Sequence, residues 1–204
     1  MKLHPYQSKP AVVAIGRFST PTKGHYAVIA RMHRFIRTDK AKSMGIAGMP
    51  IVVIVDGEKT GQDKQKNPLT PDERIKYMQA SGKADGVKFL IASDAMDAFN
   101  QVRKAGYEPL IIAAGSDRKD SYLEMLDKNF TNNGSPITHY ALKGLDRTNN
   151  GTTEISDVSG TRMREAVIAG DYDLFLELSG LENKPELAKK LYNKLEKVLN
   201  HGAA

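Results

Sequence analysis

The 204-residue chain contains no cysteine. Disulfides, thiol nucleophiles, iron–sulfur clusters and cysteine-based zinc sites are therefore excluded together. A reducing compartment suits such a composition. No stretch reaches the roughly 18 consecutive apolar residues that a membrane-spanning helix needs. The opening MKLHPYQSKPAVVAIG holds too short an apolar run for a secretory signal and lacks a small-residue cleavage pattern, so a cytoplasmic location is expected. No GxxxxGKS or GxxxxGKT segment is present, so a Walker A loop is ruled out. Internal repeats, low-complexity tracts and carboxylate clusters are missing too, and no histidine has partners at metal-ligand spacing. What is there is a globular balance, 40% apolar and 26% charged. The length supports one substantial core.

The net charge of +6 is unevenly spread. Residues 1–42 carry nine Lys or Arg against one acid, residues 43–183 sum to −5, and residues 184–204 to +3. A basic N-terminal segment beside an acidic middle attracts polyanions, of which nucleic acid and a nucleoside triphosphate are the two candidates. A merely solvated basic face is the other reading.

Short apolar runs alternate with helix-like segments. The runs are Ala11–Ile15, Ile51–Val55, Lys88–Ala92, Leu110–Ala114 and Ile137–Leu142. The first, second and fourth are almost wholly apolar, as strands buried on both faces are. Between them, Val28, Met32, Phe35 and Ile36 follow helical spacing, as do Tyr122, Met125, Leu126 and Phe130. The alternation predicts right-handed βαβ units: a Rossmann-like, doubly wound α/β fold with about five parallel strands. Residues 1–183 form that domain. Residues 184–204 add an amphipathic helix and tail, with Leu187, Leu191, Leu195 and Val198 or Leu199 on one stripe. The stripe packs either on the core or on a second subunit.

Directly after the first strand stands GRFSTPTKGH, residues 16–25. A strand running through a glycine-containing turn into a helix start is a phosphate-binding arrangement, because the helix N-terminus offers unpaired N–H groups and partial positive charge. Gly16 permits close approach of a ligand, Gly24 clears the helix start, and Arg17, Lys23 and His25 add donors. A second such start follows at Ser159-Gly160-Thr161, with Arg162 and Arg164 behind it. There Ser159 suits an N-cap, and a cap with solvated arginines explains the segment equally well in isolation.

The first segment resembles the signature G-x-F-x-P-x-H/T-x-G-H of the HIGH-motif nucleotidylyltransferases through Gly16, Phe18, Pro21, Thr22, Gly24 and His25. Its G-R-F opening is most similar to the archaeal-type nicotinamide-mononucleotide adenylyltransferases. Thr22 departs from that type, which has histidine there, and matches the pantetheine-phosphate adenylyltransferases. Val158 to Arg164 resembles the family's second signature, I-S-x-T-x-I/V-R. The resemblance implies that Thr22 positions phosphate, that His25 binds the triphosphate, and that Ser159, Thr161 and Arg164 bind its β- and γ-phosphates. Arg162 is a cation the signature does not require, and helical geometry sets it about 200° from Arg164.

Two further segments bear on the same reading. NPLTPDERI, from Asn67, opens with a capping box at Thr70 and Glu73 and resembles the N-P-F-T-x-x-E-R-I stretch of the archaeal-type enzymes. Arg74 is thereby a candidate for the acceptor site or else a structural arginine. Gly115, Ser116 and Asp117 look like the family's G-x-D turn near the nucleotide, or an Asp N-cap. Asp56 is a weaker candidate for a ribose or a metal-bound water. The resemblance implies ATP as substrate with Mg²⁺, transfer of AMP to a small phosphate-bearing acceptor, foremost nicotinamide mononucleotide, and release of pyrophosphate. Other phosphate acceptors, CTP in place of ATP, and a catalytically silent nucleotide- or nucleic-acid-binding module remain as alternatives. No membrane partner is expected, nucleic acid is the lesser expectation, and a homo-oligomer is open.

Overall fold

The computed structural model describes residues 9–46, 48–58, 62–114, 116–132, 135–136, 139–142 and 158–201. Gly115 lies outside the described residues, as does the whole of the polar segment 143–157 that precedes the second motif. Ile137 and Thr138 of the fifth apolar run lie outside them too.

A five-stranded parallel sheet forms the centre. β1 (Lys9–Gly16) pairs with β2 (Ile51–Val55) on one side and β4 (Tyr107–Ile112) on the other. β3 (Lys88–Ala92) and β7 (Tyr140–Ala141) are the edges, giving the order β3-β2-β1-β4-β7. A separate antiparallel pair, β5 (Thr131–Asn132) and β6 (Ser135–Pro136), lies between β4 and β7 in sequence. The fold is the expected doubly wound α/β class. The second and third apolar runs coincide with β2 and β3.

The fourth run does not coincide with its strand. β4 begins at Tyr107, three residues before the apolar run, and ends at Ile112. Pro109 lacks an N–H and reads as a strand breaker, yet it is accommodated where the β1–β4 register shifts between Lys9 and Ala11. Ala113 and Ala114 thus lie past the strand's end, where a ligand meets an open sheet.

Alternating side chains fill a core on each face. Val12, Ala14, Val52 and Ile54 pack against Tyr26, Ile29 and Met32 of α1 (Lys23–Ile36), with Ala41 of α2 (Asp39–Ser43) and Met78 of α3 (Pro71–Ala80) completing that layer. Val13, Ile15, Ile51, Val53 and Leu110 face the opposite layer, with Ala98, Phe99 and Val102 of α4 (Ala95–Lys104) and Tyr122 and Leu126 of α5 (Ser116–Asn129).

The remaining helices build a third core. α6 (Gly160–Ile168), α7 (Tyr172–Ser179) and α8 (Pro185–His201) pack through Met163, Val167, Phe175, Leu191, Tyr192 and Leu195, around a Tyr172–Phe175–Tyr192 aromatic group. The amphipathic stripe of residues 184–200 is therefore buried within the chain. The Lys194–Glu73 ion pair and the Lys184 Nζ bond to Ala80 O, each 2.8 Å, tie α8 and the turn before it to α3. Lys83 donates to Gly180 O across the same seam.

His139 supplies a pH-dependent element. It is buried, its Nδ1 accepts the N–H of Leu110 at 3.1 Å, and its Nε2 has no hydrogen-bond partner among the described residues. Burial pushes its pKa below the ordinary value, while Glu108 and Asp127 pull it up and Arg103 opposes them. A depressed histidine stabilises the fold fully above its unfolded pKa of about 6.5, and that contribution is lost as the pH falls through the folded value. The melting temperature of the wild type is expected to fall more steeply between about pH 7 and pH 5 than that of His139→Gln. Parallel curves for the two proteins would assign no such role to His139.

Candidate functional site

The two motifs meet at the carboxyl ends of the strands, beside the switch point between β1 and β4, where open α/β sheets bind ligands. Each is built by local chemistry. Thr22 is the N-cap of α1, and its backbone N–H donates to His25 Nδ1 at 3.1 Å. His25 thus fills the position that glutamate or glutamine holds in an ordinary capping box. Accepting at Nδ1 assigns the proton to Nε2 in the neutral ring. Ser159 caps α6, its Oγ accepting the Arg162 N–H at 3.1 Å.

Phe18 fixes the histidine from the other side. It is the one non-glycine residue with positive φ among the described residues, at +48°. That backbone state costs roughly 1–2 kcal/mol for an L-residue, the kind of strain held at functional sites. It turns the ring inward to 4.8 Å from the His25 ring. A Cβ at Gly16 would stand 3.3 Å from Phe18 Cε2, so glycine there gives the ring its room.

The second motif closes onto this turn. Gly160 is where the two segments touch: a Cβ on it would meet Thr20 Oγ1 at 2.9 Å. The Thr20 hydroxyl donates to Gly160 O at 3.4 Å, and Arg164 Nη1 donates to Ser19 Oγ at 3.4 Å. Arg164 Nη2 also donates to Thr161 Oγ1 at 3.2 Å.

Between the motifs lies a cavity of about 550 Å³. Of the residues expected at a site, Gly16, Arg17, Phe18, His25, Ser159, Thr161 and Arg164 line it. Thr22, Lys23 and Gly24 do not; they form the helix start behind His25. Asp117 lies in the first turn of α5, and Arg162 is exposed on α6. Lining residues that the sequence reading missed are Ser19, Lys66, Gly160 and Arg118. Lys66 arrives from the loop after β2, at the end of a turn organised by Asp63, with which it forms a 2.9 Å ion pair.

Among the described residues the lining therefore holds Arg17, His25, Lys66, Arg118 and Arg164, and no Asp or Glu. Among the described residues Arg164 makes no ion pair; its partners are hydroxyls. Burial and then the neighbouring Arg17 charge push its pKa down, with Glu165 and Asp63 opposing, though guanidinium stays cationic throughout. An anion placed between Arg17 and Arg164 relieves that repulsion directly. No group of three His, Asp or Glu forms a metal site among the described residues.

Arg74 does not line the cavity. Its side chain is 1% exposed and uses three donors within the chain: Nε to Leu69 O at 2.9 Å, Nη1 to Arg17 O at 3.1 Å, and Nη2 to Asp56 Oδ1 at 2.8 Å. Of the two roles the sequence left open, the geometry supports the structural one. Arg74 braces the Arg17 turn from beneath, and Asp56 is its counter-ion rather than a ligand group. No helix among the described residues is long and apolar enough to cross a membrane.

The fold and lining together define an α/β protein with a cleft at the sheet's switch point whose described lining is rich in basic side chains. The chain matches no protein-family model and no curated protein.

Proposed function

We propose that this cleft binds a nucleoside triphosphate and that the protein transfers the nucleotidyl group to a phosphate-bearing acceptor, releasing pyrophosphate. The observation that carries the reading is the convergence of two helix starts on one cavity whose described lining holds five basic side chains and no carboxylate. A triphosphate is the common small ligand whose charge matches such a lining, and helix N-termini with Arg and Lys are its usual partners. The resemblance of residues 16–25 and 158–164 to the two nucleotidylyltransferase signatures points the same way.

An oxygen of the acceptor's phosphate attacks the α-phosphorus. A new P–O bond forms there, the bond to the β-phosphate oxygen breaks, and its electron pair leaves with pyrophosphate. The acceptor brings its own nucleophile, so the protein's part is positioning and charge stabilisation. His25 Nε2 donates to a phosphate oxygen, and Ser159, Thr161 and the first amides of α6 cradle the leaving end. Arg17, Lys66, Arg118 and Arg164 neutralise the charge that develops. Mg²⁺ would come as the triphosphate's counter-ion and would help to neutralise its charge, and no Asp or Glu among the described lining residues would hold it.

ATP with nicotinamide mononucleotide is the substrate pair the G-R-F opening favours. With Arg74 committed to Leu69, Arg17 and Asp56, the pair loses its acceptor-site residue and rests on that opening alone. Thr22 favours a second acceptor, pantetheine phosphate.

Arg164→Ala is expected to weaken ATP binding about tenfold or more, the loss of charged hydrogen bonds, while Arg162→Ala changes it less than about twofold. Titration calorimetry with a non-hydrolysable ATP analogue reads both. Equal losses, or the reverse order, would overturn the site as drawn.

A further inference from the structure

We propose that Asp63 sets how firmly the cleft retains triphosphate and pyrophosphate: it pairs with Lys66 and competes with the bound polyphosphate for that ammonium, a role that rests on the triphosphate reading of the cleft. The loop after β2 builds the pair. The Lys66 and Asn67 amides donate to Asp63 O at 3.2 and 2.8 Å, and Asp63 Oδ1 also accepts the Lys66 N–H at 3.1 Å. The other carboxylate oxygen, Oδ2, meets Lys66 Nζ at 2.9 Å. Lys66 lines the cleft and Asp63 does not, so the pair stands at its rim. The bond to Lys66 holds the Asp63 carboxyl below its ordinary range, which keeps it ionised at neutral pH.

The backbone that presents Lys66 is anchored apart from this pair. Gln65 Nε2 donates to Leu199 O of α8 at 3.2 Å, and Leu69 is fully buried in the third core. The chain is thus fixed on both sides of Lys66. What is left to change partner is the ammonium, a point charge on a flexible four-carbon stem.

Charge decides the direction of the effect. The Lys66 side chain is 67% exposed and that of Asp63 35%. An ion pair so exposed is weak, and a polyphosphate with several charges takes the ammonium from it. The carboxylate is then left facing the anion at short range. Its charge already extends into the cleft. Burial and then Arg17 push the Arg164 pKa down, and Asp63 is one of the two acids that pull it back. Asp63 therefore weakens anion binding. The weakening serves turnover, because several basic side chains around one pyrophosphate retain it, and product release is rate-limiting in many enzymes.

The test is titration calorimetry on the full chain with two probes, a non-hydrolysable ATP analogue with Mg²⁺ and inorganic pyrophosphate alone. Asp63→Asn removes the charge, while the amide oxygen of asparagine still accepts the Lys66 N–H. It is expected to bind both probes about two- to fivefold more tightly than the wild type, the worth of an exposed ion pair. The gain should shrink as salt is raised, and the melting temperature should not move. Asp63→Ser also keeps a cap without the charge; it is expected to behave alike and replaces Asp63→Asn if that variant does not fold. Lys66→Gln is expected to weaken both probes at least about threefold. Tighter, salt-sensitive binding is a result that damage to the loop does not produce. Unchanged or weaker binding in Asp63→Asn, a gain indifferent to salt, or wild-type affinity in Lys66→Gln would overturn the proposal; the cleft reading survives each of these if Arg164→Ala still loses the analogue. No saturable binding of either probe by the wild type would remove that reading and this role together.

Discussion

Replacing His25 with alanine is expected to lower kcat/KM for the proposed nucleotidyl transfer by about 10²- to 10³-fold, the loss that follows removal of one donor aimed at developing charge. Three features concentrate the effect on this side chain. Its Nδ1 is held by the Thr22 N–H, which leaves Nε2 as the protonated donor. The Phe18 ring, turned inward by a strained backbone, packs against it at 4.8 Å. Its ring lines the cleft together with the second helix start. The fold should lose only about 1 kcal/mol, as when a helix cap is removed. Steady-state kinetics together with thermal unfolding read the two effects separately. A soluble, folded variant within a few-fold of wild-type activity would remove His25 from the chemistry.

The largest stability effect is expected at Arg74, not at a residue of the cleft. Arg74→Ala strands the Leu69 and Arg17 carbonyls and leaves Asp56, 19% exposed, without its counter-ion. Breaking a buried pair by removing one partner costs about 3–5 kcal/mol. Desolvation lowers the Arg74 pKa and the Asp56 charge raises it back, so the two groups depend on each other. Arg74→Lys does not restore the loss, because an ammonium cannot serve three acceptors set around a planar fork. Denaturant unfolding measures the difference. A loss below about 1 kcal/mol would show that the Arg74 network contributes little net stability.

What the sequence displayed and what it concealed divide along local and distant causes. β2 and β3 were legible because IVVIV and KFLIA are short, largely apolar runs bounded by polar turns. The Thr70–Glu73 capping box was legible because both partners lie within one turn. The start of β4 was hidden by Pro109, whose missing N–H is absorbed by a register shift that only the neighbouring strand reveals. Arg74 stands in a familiar-looking segment, but its partners are Asp56 and the carbonyl of Arg17, 18 and 57 residues away. Spacing within the segment carries no trace of them. Lys66 and Arg118 were missed for the same reason, since they join the cleft only when the segments after β2 and β4 converge beside β1. Residues 16–25 and 159–164 were singled out because each is a helix start with its own signature. That Gly160 is where they touch follows only from the 2.9 Å approach of Thr20.

The measurement that bears most directly on the proposed activity is pyrophosphate release from the purified wild-type protein with Mg²⁺. ATP and CTP are each offered with nicotinamide mononucleotide, pantetheine phosphate and a simple alcohol phosphate, and every product is identified by mass. The expected result is pyrophosphate in equal amount to a nucleotidylated acceptor, foremost NAD from ATP and the mononucleotide, with release below saturating ATP slowed about 10²-fold or more in His25→Ala and about tenfold or more in Arg164→Ala. Saturable ATP binding with no pyrophosphate from any pair, or release at the wild-type rate in both variants, would contradict it.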